Sequence, residues 1–404
     1  MDDADDSAFL PNCEDSADLR YCDAHCHLDS ILLNQKHGYM EWMVKKRICF
    51  NWAEGNCWYG SCCGFAHGWD DLIPRVPLQP ADVEAFARRH VPAQDAACSA
   101  SLRGDEHTRL PPLAPSAWRR HPRLRAVITN CCDVESIPDT KMLVTEGNKL
   151  FCGTVFCTFG CHPASYRDYN DAYEDRLLEA LKACGTRAVA WGECGLDFAK
   201  HDASDSSRKA HMMQVFSRQA RLAVSLGLPL VVHSREADQE TLEVLNESVP
   251  FSYPVHIHAF QGSPMFLSEV LRVRPNTIFG VSPHICLTWP GGAVEIARRC
   301  PLERLVLETD APFLAGEPRE VPKIAETLAK LKGVSVHQVL DVTSETCERF
   351  YRLHLAEPAD TRGNAKTCSV QWRGSKRWHC VVDWEREARI CALSREACKS
   401  NTRN

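Results

Sequence analysis

From residue 123 onward, short apolar runs rich in β-branched residues alternate with longer stretches of helical period. The runs fall at 126–130, 153–157, 187–191, 228–232, 254–258, 277–280 and 305–307. Between the third and fourth, Met212, Phe216, Ala220, Ala223 and Leu226 recur at spacings of three and four. That spacing predicts an amphipathic helix over 206–226, ended by Gly227 and Pro229. A last helix is predicted over 336–353. One more strand precedes all of these, led in by Leu19 and Tyr21. Eight strands alternating with helices imply a parallel sheet, and eight units over about 230 residues fit a (β/α)₈ TIM barrel better than an open sheet.

The rest of the 404-residue chain lacks this rhythm. Residues 1–18 are acidic and polar, and are expected to be disordered. The barrel then takes 19–32 and 123–355. Between its two parts lie a compact Cys- and aromatic-rich segment at 45–68 and a Pro- and Arg-rich linker at 69–122, with one helix predicted over 82–89. Residues 356–404 form a basic tail. From 361 on it carries ten basic and four acidic residues, with Trp372, Trp378 and Trp384 interleaved.

Composition narrows the class. The chain is 44% hydrophobic and 25% charged, ordinary for a soluble globular protein. A net charge of −6 gives no bulk attraction to nucleic acid or anionic membrane, so any nucleic-acid contact needs local basic patches. No run of about 18 apolar residues predicts a membrane span. The acidic N-terminus has no signal-peptide pattern. The 22 cysteines are therefore expected as thiols or metal ligands rather than disulfides, with Cys131, Cys152 and Cys157 as small buried apolar residues.

Barrel chemistry sits at the C-terminal ends of the strands. In Tyr21-Cys22-Asp23-Ala24-His25-Cys26-His27 two histidines stand one residue apart, and strand alternation points them the same way. Later strands end in Glu193, in His233, in His258, and in Glu308-Thr309-Asp310. Four histidines and two acids, Glu193 and Asp310, at one rim predict a metal site. Six donors exceed what one catalytic ion takes from protein, so two divalent ions sharing a carboxylate fit better.

These stretches, together with Gly160-Cys161-His162-Pro163, His233-Ser234-Arg235-Glu236-Ala237 and Leu307-Glu308-Thr309-Asp310-Ala311-Pro312-Phe313, resemble the TatD family of metal-dependent deoxyribonucleases, amidohydrolase-like TIM barrels. The resemblance covers about 20–32 and 123–355. It implies that His25, His27 and Asp310 hold one ion, that His233 and His258 hold the second, and that Glu193 bridges. Asp310 also orients or deprotonates the attacking water, so Asp310 and Glu193 are the implied catalytic residues. His162, Arg235 and His256 would face substrate phosphate. The family implies Mg²⁺, whereas four imidazoles suit Zn²⁺, Mn²⁺ or Fe²⁺. Two departures stand out. Ala315-Gly316-Glu317-Pro318-Arg319 replaces a longer loop that frames substrate, and Ser344-Glu345-Thr346 replaces a Glu-Asn-Thr element.

Cys49, Cys57, Cys63 and His67 give the spacing C-x₇-C-x₅-C-x₃-H, which resembles a CCCH zinc finger; Cys62 is the alternative third ligand. Three thiolates and an imidazole make a closed, structural Zn²⁺ site. Phe50, Trp58, Tyr59 and Phe65 supply rings for stacking bases, and Lys45, Lys46 and Arg47 supply phosphate contacts. The insertion follows the first strand, so it leaves from the chemical end of the barrel. The leading expectation is a metal-dependent nuclease, a 3′-exonuclease on single-stranded DNA or RNA using water activated by two metals. Such a protein is expected in the nucleus or cytoplasm, with nucleic acid and no membrane as partner. The alternatives are a hydrolase of small esters or amides, and an RNA-binding finger protein with an inert barrel.

Overall fold

Each expected apolar run forms a strand, and the eight pair in chain order as one parallel sheet. The computed structural model describes residues 20–37, 49–53, 55, 57, 60, 63, 65–72, 77–90, 123–147, 154–199, 206–287, 292–353 and 355. The acidic N-terminus, the basic tail, all of 91–122, Lys45 to Arg47, Trp58, Tyr59, Cys62 and Cys152 lie outside them. The strands are β1 (Arg20–Cys26), β2 (Arg123–Cys131), β3 (Val155–Phe159), β4 (Ala188–Asp197), β5 (Leu230–Arg235), β6 (Val255–His258), β7 (Thr277–Val281) and β8 (Leu305–Leu307). The helices are α1 (Leu28–His37), α2 (Phe50–Ala53), α3 (Pro80–His90), α4 (Ile137–Thr145), α5 (Asp171–Cys184), α6 (Ser206–Leu226), α7 (Asp238–Ser248), α8 (Pro264–Val273), α9 (Ala293–Arg299), α10 (Val321–Lys332) and α11 (Val336–Tyr351).

The period-2 alternation of the strands divides the core in two. Cys22, Ala24, Ala126, Ile128, Phe156, Ala190, Val231, Ile278 and Val306 point inward and fill the barrel. Their neighbours, such as Val155, Cys157, Leu230, Val232, Leu305 and Leu307, point outward against the helices. Cys347 and Tyr351 of α11 belong to the inner cluster and close its lower end, with Phe350 and Leu353 packed against it. Cys131 and Cys157 are fully buried as expected, and no described cysteine forms a disulfide. Among the described residues no helix is long and apolar enough to cross a membrane.

The seam between β1 and β8 is tied beyond the strand ends. The Asp310 N–H donates to the His25 carbonyl at 2.9 Å, and the His27 N–H to the Ala311 carbonyl at 2.7 Å. Asp23, fully buried, accepts from the Thr309 N–H at 3.0 Å and from its hydroxyl at 2.5 Å. These bonds bring the first and last site-bearing segments side by side.

One expectation is corrected by packing. The stretch read as a linker contains α3, close to the predicted helix, and its apolar face belongs to the barrel. Leu78, Val83 and Phe86 are buried in the main core beside Ile31 and Leu143, and the Leu78 N–H donates to Asp139 at 2.8 Å. Residues 77–86 are thus part of the helical layer; their Pro-rich surroundings masked one short apolar face. Truncating Phe86 to Ala is expected to cost about 3 kcal/mol, the usual penalty for emptying a buried aromatic site. A melting curve equal to wild type would return this stretch to a linker.

Candidate metal centre and substrate cleft

His25 and His27 converge as alternation expects, with Cys26 packed outward between them, but a bulge just upstream decides which face they take. Between the pairs Asp23–Val127 and Cys26–Thr129, β1 advances three residues while β2 advances two. This bulge breaks the period, so His25 turns inward with Ala24 while Cys26 packs outward. His27 lies one residue beyond the strand, its ring edge-on to His25 at 5.2 Å. A second bulge, between Trp191–Leu230 and Cys194–Val232, carries Glu193 into the barrel mouth. Backbones just past other strands are turned sharply. Glu236, Ala259 and Asp310 all have left-handed φ, at 52°, 40° and 50°, a strained conformation that clusters at functional rims.

The six expected donors meet there. His25 Nε2 is 3.4 Å from Glu193 Oε2 and 3.7 Å from Asp310 Oδ1. His27 Nε2 lies 3.4 Å from Asp310 Oδ1. His258 Nε2 is 3.5 Å from Glu193 Oε1 and 4.0 Å from Asp310 Oδ2, with its ring stacked on His25 at 3.7 Å. His233 Nδ1 contacts Glu193 Oε1 at 2.5 Å, and its Nε2 is 3.6 Å from Asp197. Glu193 is therefore the hub, touching both histidine groups. The grouping differs from the one the resemblance implies: His258 sits with His25 and Asp310, and His233 with Glu193 and His162.

The donor set fits divalent metal. Neither ring nitrogen of the fully buried His25 makes a hydrogen bond. Most of the donor separations exceed hydrogen-bond length and match the roughly 3.4 Å between ligands of one ion bound at about 2.1 Å. Backbone and carboxylate partners fix the rings. His27 Nδ1 lies 3.1 Å from the Asn130 carbonyl, and His258 Nδ1 3.1 Å from Glu308 Oε1, which leaves both Nε2 atoms facing the centre. Electrostatics follow burial and charge. Burial, with His258 alongside, lowers His25 to about 4. Burial also opposes protonation of His258, but Glu308, Glu193 and Asp310 outweigh it and lift it to about 10. Burial would neutralise Glu193; His258, His162 and His233 reverse that and hold it well below the usual carboxylate range.

His162 stands 3.7 Å from Glu193 and is the less buried partner. Its Nδ1 accepts the Ala164 N–H at 3.0 Å, so in the neutral ring Nε2 carries the proton and is a donor. Arg235, at the exposed end of β5, lines the same cleft of about 1070 Å³. His256 is different and is corrected here. It lies on the inner face of β6, one layer below His258, fully buried between the Tyr351 hydroxyl at 2.5 Å and Glu308 at 3.2 Å. It cannot touch a phosphate in the cleft.

Several residues at the site escaped the sequence reading. Glu308, two positions before Asp310, orients His258 and accepts the Ala259 N–H. Asn130 holds His27, and Cys132 donates to Glu193 at 3.4 Å. Each is a polar or thiol residue at a strand's C-terminal end, the signal that found the others. In the insertion, ligand atoms of Cys49, Cys57, Cys63 and His67 lie within 4.8 Å of one another, with His67 Nε2 3.2 Å from Cys57 Sγ.

An eight-stranded parallel barrel with this donor cluster at its mouth defines a class shared with known proteins. The chain belongs to the TatD-related DNase family, which matches residues 114–352. It is 33% identical over 270 residues to the human 3′-5′ RNA nuclease TATDN2, covering 67% of this chain and 34% of that protein. The chain thus spans about a third of that relative's length. It is 33% identical over 212 residues to the human deoxyribonuclease TATDN3, covering 51% of this chain and 75% of that one. The TatD homologue YJJV of Escherichia coli K12 shares the fold, with a TM-score of 0.50 at 20% identity over 57% of this chain and 88% of that one.

Proposed function

We propose that the protein is a metal-dependent nuclease that shortens single-stranded DNA or RNA from the 3′ end. The observation that carries this reading is the convergence of His25, His27, His233, His258, Glu193 and Asp310 in one cleft that also presents His162 and Arg235. The names of the relatives, an RNA nuclease working 3′ to 5′ and a deoxyribonuclease, support the substrate class and polarity.

In this reading His25, His27, His258, Asp310 and Glu193 hold one divalent ion, and His233 with Glu193 holds a second. Bound there, the two ions supply Lewis-acid stabilisation of the attacking and leaving oxygens and lower the pKa of water. The chain's own residues do the rest. Asp310 accepts a proton from the water whose oxygen joins phosphorus. The ester P–O bond breaks, and the leaving oxygen takes a proton from solvent. The His162 Nε2–H and Arg235 hold the phosphate oxygens. The inert-barrel alternative is disfavoured because the whole donor set is in place.

The direct test uses oligonucleotides labelled at the 5′ end, with and without Mg²⁺, Mn²⁺ or Zn²⁺. A metal-dependent ladder of shortened products is expected. No shortening of either DNA or RNA, with metal demonstrably bound, would sink the nuclease reading.

We infer also that Cys49, Cys57, Cys63 and His67 hold a structural Zn²⁺ that folds the insertion. Cys57→Ser is expected to remove one equivalent of zinc and to weaken single-strand binding about ten-fold, while metal in the barrel is retained. Full zinc content in that variant would remove Cys57 from the site.

A further inference from the structure

The sequence places Phe65 in the insertion, yet the structure places it on the wall of the barrel's own cleft, the wall shared with His27, His162, Arg235 and Phe313. Its neighbours fix it there. Cys63 and His67 flank it among the four clustered donors, and Ala66 is fully buried, its carbonyl accepting the Cys49 N–H at 2.7 Å. With those residues turned into the finger, the Phe65 ring is turned out and stays 38% exposed. Phe313, which lines the same cleft, is 43% exposed, its ring set edge-on against His27 at 5.0 Å. The finger carries one more exposed ring, Trp52 at 43%, and Trp69 just past it is 82% exposed. A cleft lined by charged and polar groups thus also presents the rings of Phe65 and Phe313.

We propose that Phe65 is a substrate-binding residue of the barrel's active site, stacking on a base of the single strand whose 3′ end lies at the metal donors. This rests on the nuclease reading above and adds to it a composite site. The barrel supplies the phosphate contacts and the donors, and the inserted finger supplies a base platform. Stacking suits the task because every base offers a π face, so an exonuclease gains grip without sequence preference. It also gives the insertion a reason to reach the rim: Phe65 lines the cleft that the strand must enter.

The test compares wild type with Phe65→Ala, Phe65→Leu and Phe65→Trp. Each acts on a single-stranded oligonucleotide and on the same oligonucleotide made abasic at its last three nucleotides. Loss of one base–aromatic stack lowers affinity roughly ten-fold or more. Phe65→Ala and Phe65→Leu are therefore expected to raise KM about that much on the normal strand, with Phe65→Trp near wild type. On the abasic strand the four proteins converge. Leu keeps the bulk without the π face, so it separates stacking from a collapsed finger, and zinc content checks the fold of each variant. Equal KM for all four on the normal strand would overturn the proposal, as would a loss of the same size on the abasic strand. If wild type shortens the normal strand and Phe65→Ala matches it, only this inference fails. If wild type shortens nothing, the nuclease reading falls and this falls with it.

Discussion

Asp310→Asn is expected to reduce single-strand hydrolysis by about 10³-fold while the protein stays folded. The backbone at Asp310 is left-handed, with φ 50°. Asn is among the few residues that tolerate this conformation, so the exchange adds no strain. The side chain keeps its shape beside His25, His27 and His258, at 3.4 to 4.0 Å. What it loses is the negative charge and the capacity to take a proton. Those carboxylate properties are stabilised here: burial opposes ionisation, yet His258, His27 and His25 keep the carboxyl below its ordinary range. A positioned general base contributes typically 10²–10⁴-fold. The neutral amide is also a weaker metal ligand, which adds to the loss. The measurement is the rate on end-labelled strands at saturating metal, with metal content determined in parallel. Activity within ten-fold of wild type would remove Asp310 from the proton path.

Asp310 was legible because it follows the last apolar run directly and because a barrel concentrates chemistry at strand ends. The same logic found Glu193, His233 and His258 from pattern alone. The phosphate role of His256 was implied by the family resemblance instead, and two histidines on β6 at one face look equal in sequence. Depth separates them: His258 reaches the cleft, and His256 stops one layer lower against Tyr351 of α11. That contact joins residues 95 apart in the chain, which no local period encodes. Bulges were equally hidden. His25 and His27 share a face as alternation expects, but that this face is the inner one depends on an extra residue in β1. The α3 helix was visible as a helix but not as core, because its partners on α1 and α4 come from distant sequence. Phe65 was visible as an aromatic of the finger; its place on the cleft depends on how the finger rests on the rim.

Glu308→Gln is the second change with a large expected effect, and it separates metal binding from chemistry. Glu308 is fully buried and touches no part of the cleft that a substrate would fill. One of its oxygens faces His258 Nδ1 at 3.1 Å, the other His256 Nε2 at 3.2 Å. It therefore acts on the reaction through His258 and the adjoining Ala259 backbone. A carboxylate behind a metal-binding imidazole fixes the ring's tautomer and raises its basicity, and losing it typically costs 10–100-fold in metal affinity. The fit is close: Gly280 packs against the Glu308 carboxylate with no space for a Cβ, so the isosteric amide is the proper probe. The oxygen facing His258 also accepts the Ala259 N–H, so the amide must turn its NH₂ toward His256. His256 can change tautomer, because the Tyr351 hydroxyl on its other nitrogen both donates and accepts. The fold is thus expected to survive, with the deficit confined to metal affinity. The metal concentration for half-maximal activity should rise 10- to 100-fold, and saturating metal should restore kcat close to wild type. Asp310→Asn should not recover in this way. A Glu308→Gln protein that binds metal as tightly as wild type would refute the orienting role. One that binds metal normally and yet fails to turn over would place Glu308 in the chemical step instead.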